Sequence, residues 1–148
     1  MDHHGSLSID LLFATFILLI IIVTTANLIS DRFNLVDESD ELSEARSLAE
    51  YIAGSVNQVY AGGNGHKIKI SIPYQLNKNH NYEVKVNGSG VLIDLNGRKG
   101  LAYIIPEKIS ADENNLKNST IILYPGNSYY IINKKEGKGD NWIVILHE

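Results

Sequence analysis

Cysteine is absent from this 148-residue chain. Its absence removes disulfides, thiolate chemistry and Cys-based zinc sites together, and leaves the redox compartment open. Proline is scarce: there are three, and none precedes Pro73. Glycine is also missing between Ser6 and Ala53, so nothing in that stretch obliges a helix to stop. No lysine or arginine comes before Arg32. The opening MDHHG therefore lacks the basic n-region of a secretory signal, and Leu28-Ile29-Ser30 is a poor small-x-small cleavage site, which makes a removable signal the weakest reading. With a net charge of −4, the chain carries no dense basic face, which argues against nucleic acid as a partner. Arg98-Lys99 and Lys134-Lys135 read as short solvated turns. Of the five histidines, His3 and His4 sit at the extreme N-terminus, and His66, His80 and His147 show no ligand spacing. No metal or other cofactor is read, and no Ser, His and Asp arrangement marks an enzyme.

What is present is unevenly distributed. Residues 11–23 contain no charge and only one polar side chain, Thr15, and residues 24–29 add only Thr24, Thr25 and Asn27. A charge-free run of roughly 19 residues approaches the 20 or so that a spanning helix needs. Beyond it, Leu42, Ala45, Ala49, Ile52, Val56 and Val59 recur at three- and four-residue spacing, with Ser43, Glu44, Arg46, Ser47 and Glu50 on other faces. The polar SDRFNLVDESDE between the two halves predicts a bend or short break near residues 30–40 of an otherwise continuous helix that ends at Gly62-Gly63. From His66 onward the period falls to two. KIKISIP, NYEVKV, GVLIDL, LAYII, STIILY, SYYIINK and NWIVILH read as about seven strands, with Asn87-Gly88 and Asn96-Gly97 as hairpin signals. The predicted class is α+β: a long N-terminal helix, with a membrane half and an amphipathic half, packed on a C-terminal antiparallel β-domain.

The order of short polar leader, Gly, apolar helix with an early acid, amphipathic helix, Gly turn and β-domain resembles the type IV pilin superfamily, and within it archaeal pilin-like proteins with a class III signal peptide. The stretch carrying the resemblance is Gly5, Ser6, Leu7, Ser8, Ile9, Asp10, and YAGGNGHKIKISIP is similar to that group's passage from helix to first strand. The resemblance implies that a prepilin-type peptidase cuts after Gly5, making Ser6 the new N-terminus, Ser8 the third mature residue and Asp10 the fifth. It further implies a subunit held in the membrane before assembly, which then self-associates through apolar helices into a surface filament for adhesion or surface contact, its C-terminal domain outside the cell. The organisation expected is residues 1–5 leader, 6–29 transmembrane and assembly helix, 30–63 amphipathic helix and 64–148 extracytoplasmic β-domain.

Each feature has a plainer reading beside it. Asp10 can pair with a neighbour's α-amine, or it can be a first-turn acid favoured by the helix dipole with Ser8 as cap. GGNGHK is a helix C-cap and turn rather than a phosphate loop, because it follows a helix and opens a strand. Asp94-Leu95-Asn96-Gly97 is a hairpin turn rather than a calcium loop, since Arg98 and Lys99 occupy ligand positions. Asn87-Gly88-Ser89 and Asn118-Ser119-Thr120 are candidate N-glycosylation acceptors, usable only outside the cytoplasm. The alternative to a filament subunit is an uncleaved membrane anchor displaying a β-domain that binds a partner or ligand.

Overall fold

The computed structural model describes residues 3–76, 81–137, 139 and 141–148, with the side chains of 3–8, 31 and 33–39 outside the description. One helical element, α1 (His3–Gly62), is followed by eight strands: β1 (Lys67–Ser71), β2 (Tyr82–Asn87), β3 (Gly90–Leu95), β4 (Arg98–Ala102), β5 (Ile109–Ser110), β6 (Ile121–Leu123), β7 (Ser128–Lys135) and β8 (Asn141–His147). The backbone stays helical through residues 30–40, where a bend or short break was expected, so the chain has no break there. With no Gly or Pro there, polar side chains alone do not stop a helix. The chain divides into two compact units, Met1–Ser39 and Asp40–Glu148.

In the second unit the strands form two four-stranded sheets, ordered β1-β7-β8-β5 and β4-β3-β2-β6. All pairings are antiparallel except β5 with β8. Strand β5, only two residues long, carries too little pattern to be read from sequence, and β4 begins three residues earlier than LAYII implies. The β3–β4 hairpin turns on Asn96 (φ 53°) and Gly97 (φ 83°), with the Gly97 N–H donating to Asp94 Oδ1 at 2.9 Å. That is the left-handed pair an Asn-Gly hairpin requires. In the β2–β3 hairpin, Asn87 pairs with Gly90, so the turn is Gly88-Ser89 and Asn87 closes the strand.

One core joins both sheets to the helix. Ala45, Leu48, Ala49, Ile52, Ala53, Val56 and Val59 are buried with Val84, Val86, Ile93 and Leu95 of one sheet and Ile70, Ile131 and Ile145 of the other. Three ties fix where the helix lies. Glu41 pairs with Arg98, the Ala45-Arg46 backbone sits against Gly100, and Asn57 Oδ1 accepts the Ile105 N–H at 2.8 Å. Glu41 to Asn57 is about 24 Å of helix. Arg98 to Ile105 is about 23 Å of extended chain. The two therefore run side by side, and the helix lies along β4. A Cβ on Gly100 would come within 2.6 Å of the Ala45 carbonyl carbon and 2.7 Å of the Arg46 nitrogen, so only glycine permits this approach.

The helix ends at Asn133, which is fully buried in β7. Its Nδ2 donates to the carbonyls of Val59 (3.2 Å) and Tyr60 (3.0 Å) in the last turn of the helix, the latter also accepting the Gly63 N–H at 3.3 Å. Its carbonyl accepts the Gly65 N–H at 2.7 Å, which holds the Gly63-Gly65 turn into β1. The reading of GGNGHK as cap and turn agrees with this geometry. Elsewhere the buried Ser110 hydroxyl gathers residues 112–117 by accepting from the Asp112 N–H (3.2 Å) and donating to the Asp112 carbonyl (2.9 Å). Lys134 ties the same loop down through the Glu113 carbonyl at 2.8 Å.

Because the helix supplies one wall of the core, a fragment of residues 40–148 is expected to unfold cooperatively. A fragment starting at His66 should expose the sheet faces and aggregate, and calorimetry with light scattering checks both. Gly100→Val in the longer fragment should cost at least about 1–3 kcal/mol by denaturant titration, as overpacking does. Tyr82 gives a pH signature. Its hydroxyl donates to the Pro73 carbonyl, and burial pushes its pKa up to about 12. The folded state thus keeps a proton that the unfolded chain loses near pH 10, so the stabilisation is intact below pH 10 and is lost as pH rises toward 12. Tyr82→Phe should flatten that part of the alkaline limb.

Candidate assembly and modification sites

The first unit holds the N-terminal candidates. Ile9–Ser30 is a 22-residue helical stretch of mean hydropathy 2.5, long and apolar enough to cross a bilayer, and none of it is buried within the structure. Leu11, Phe13 and Phe16 are each at least 60% exposed. A helix apolar all round, with no protein against it, requires lipid or other helices. The threonines fit such surroundings. Thr15 donates to the carbonyls of Leu11 (3.0 Å) and Leu12 (2.9 Å), Thr24 to those of Ile20 (2.9 Å) and Ile21 (3.0 Å), and Thr25 to Ile21 (2.6 Å). Their hydroxyls are satisfied within the helix and need no outside partner.

Asp10 is exposed, and it is the only charged residue in Ile9–Ser30. The helix begins at His3 and has no acid in its first turn. Asp10 therefore lies about two turns inside it. Ser8 is likewise part of the helical backbone. Gly5, Ser6 and Ser8 belong to the helical backbone, and their side chains fall outside the described residues. His80 also lies outside them.

The candidate acceptors belong to the second unit. Asn87 is half-buried at the end of β2, its Oδ1 accepting the Ser89 N–H at 2.9 Å. Asn118 is exposed, and its Oδ1 accepts the Ile109 N–H at 3.0 Å, holding β5. In both, the amide oxygen is used locally, while a glycan would bond to the nitrogen. Val86 lies opposite Ile121, so continuing the register sets Asn87 beside Thr120. The two tripeptides meet at one end of a sheet, a closeness that pattern reading misses because β6 reaches β2 across three intervening strands.

The rest of the second unit's surface mixes ion pairs with exposed apolar side chains, among them Tyr74, Leu101, Tyr103, Ile105 and Tyr124. Lys69 meets Glu148 at 2.6 Å, which raises the lysine pKa and lowers that of the carboxyl, while Lys67 lies 3.6 Å from the centre of the Tyr130 ring. His147 packs edge-on against Tyr129, and His66 is exposed. Among the described residues no three His, Asp or Glu side chains gather as a metal site would require. Comparison with protein-family models, with curated proteins and with solved structures gave no match.

Proposed function

We propose that this chain is a type IV pilin-like structural subunit, cleaved after Gly5 and assembled through its N-terminal helix into a surface filament. The observation that carries the reading is the wholly exposed, 22-residue apolar helix with a single early acid, on a chain whose other unit already has a complete core of its own. Such a helix has no use inside its own subunit. It serves first as a membrane anchor and then as the material of a helical bundle.

Cleavage after Gly5 would free an α-amine on Ser6 with a pKa of about 8, largely protonated at neutral pH. With helices staggered by a few residues, Asp10 of one subunit reaches the amine of the next. In a bundle of otherwise uncharged helices a charge pair in low dielectric is strongly favoured over either charge alone, and it can fix the register. The second unit is displayed outward for adhesion or surface contact, and Asn87 and Asn118 become available for sugar on that side of the membrane.

Processing and assembly are separately testable. Gly5→Val should block processing, because a branched side chain hinders the peptidase's approach, and N-terminal sequencing of filament protein should find Ser6. Met1 intact in filaments would sink the cleavage step and favour the uncleaved anchor. Asp10→Ala and Asp10→Asn should leave membrane insertion intact and cut sheared-filament yield sharply, since an amine buried without its partner costs about 3–5 kcal/mol. Asp10→Glu should assemble. Normal filaments from both the Ala and Asn variants would refute the ion pair.

A further inference from the structure

The chain holds three Asn-Gly pairs, Asn64-Gly65, Asn87-Gly88 and Asn96-Gly97. At such a pair an asparagine can react with its own backbone, because glycine has no side chain to shield its nitrogen from the carboxamide one residue back. The reaction requires that the carboxamide be free to turn. Asn64 Oδ1 accepts the Lys135 N–H at 2.9 Å, and Asn87 Oδ1 accepts the Ser89 N–H at 2.9 Å, so both of these carboxamides are held. Their glycines are held too. The Gly65 N–H donates to the Asn133 carbonyl at 2.7 Å, and a Cβ on Gly88 would collide with the Glu107 carbonyl oxygen. Asn96 differs: it is exposed at the tip of the β3–β4 hairpin, and its carboxamide makes no hydrogen bond among the described residues. Gly97 has open space where a Cβ would stand. The Gly97 N–H donates to Asp94 Oδ1 at 2.9 Å, a bond along the N–H direction that leaves both faces of the nitrogen uncovered.

We propose that Asn96 is a site of spontaneous deamidation in the folded protein, and that the fold spares Asn64 and Asn87. The Gly97 nitrogen attacks Asn96 Cγ and a five-membered succinimide closes. The bond from Cγ to Nδ2 breaks, and ammonia leaves with the proton given up by the Gly97 nitrogen. Water then opens the ring at either carbonyl, giving aspartate or isoaspartate, and no oxidant, reductant or enzyme is needed. Isoaspartate routes the chain through the former side chain and adds one methylene to the backbone between Leu95 and Arg98, which are paired directly across the hairpin. The turn depends on its left-handed pair, Asn96 (φ 53°) and Gly97 (φ 83°), and a lengthened turn does not keep that geometry. Arg98 is the partner of Glu41, and Gly100 lies against the helix backbone, so the change is felt where the helix meets β4. This inference is independent of membrane insertion and of filament assembly.

In the test, full-length chain in detergent micelles is aged at mildly alkaline pH, digested with trypsin and mapped by tandem mass spectrometry, with isoaspartate counted by enzymatic methylation. The tryptic peptide 86–98 carries Asn87 and Asn96 together, so its fragment ions compare the two directly, and peptide 47–67 reports Asn64. Conversion at Asn96 should run roughly two- to tenfold faster than at either other pair, the factor set by the one hydrogen bond that must break before a held carboxamide turns. In urea the three should convert at similar rates, because each is then followed by an unrestrained glycine, and that control assigns the selectivity to the fold. Aged wild-type chain should unfold at a lower urea concentration than fresh chain. Asn96→Gly, which suits the same turn, should abolish the early conversion and leave the midpoint unchanged on ageing. Conversion of folded chain at Asn64 or Asn87 as fast as at Asn96, or none at Asn96 while the unfolded chain converts, would overturn the site. An unchanged midpoint in aged wild type would overturn its consequence for the helix contact.

Discussion

The close approach of the helix backbone to Gly100 is the contact on which the second unit depends. With no side chain on β4 at that point, Ala45 and Arg46 sit directly on the strand, and Leu48, Ile52, Val56 and Val59 then reach between the two sheets. Two four-stranded sheets alone would leave apolar faces open along one side. The helix closes that side and also guards the β4 edge, because Asn57 accepts an N–H from the chain just beyond it. The other edges are blunted by other means: β5 and β6 are short, and β1 presents Lys67 and Lys69.

Asn133 shows what a buried polar group accomplishes here. Its side-chain amide donates to two carbonyls of the helix's last turn, Val59 and Tyr60, and its backbone fixes the turn that starts β1. The cost is an Oδ1 with no partner among the described residues. The arrangement sets where the helix ends relative to the sheet, which apolar contacts alone leave free to slide.

Much of this was legible in the residues. The change from period 3.6 to period 2 near His66 located the boundary between helix and sheet, and Asn96-Gly97 named its own turn. Of the periodic helix positions, Ala45, Ala49, Ile52, Val56 and Val59 are buried, while Leu42 remains partly exposed at the rim. What stayed hidden depends on distant chain. Nothing local announces that Gly100 faces a helix backbone, that Asn133 points inward, or that β5 pairs in parallel with β8. The polar run at 30–40 does not interrupt the helical backbone, because it holds no residue that forbids a helix, and that half of the bend-or-break reading is set aside. At the candidate sites the letters Asp10, Asn87 and Asn118 were readable, but the meeting of the two acceptor tripeptides was not.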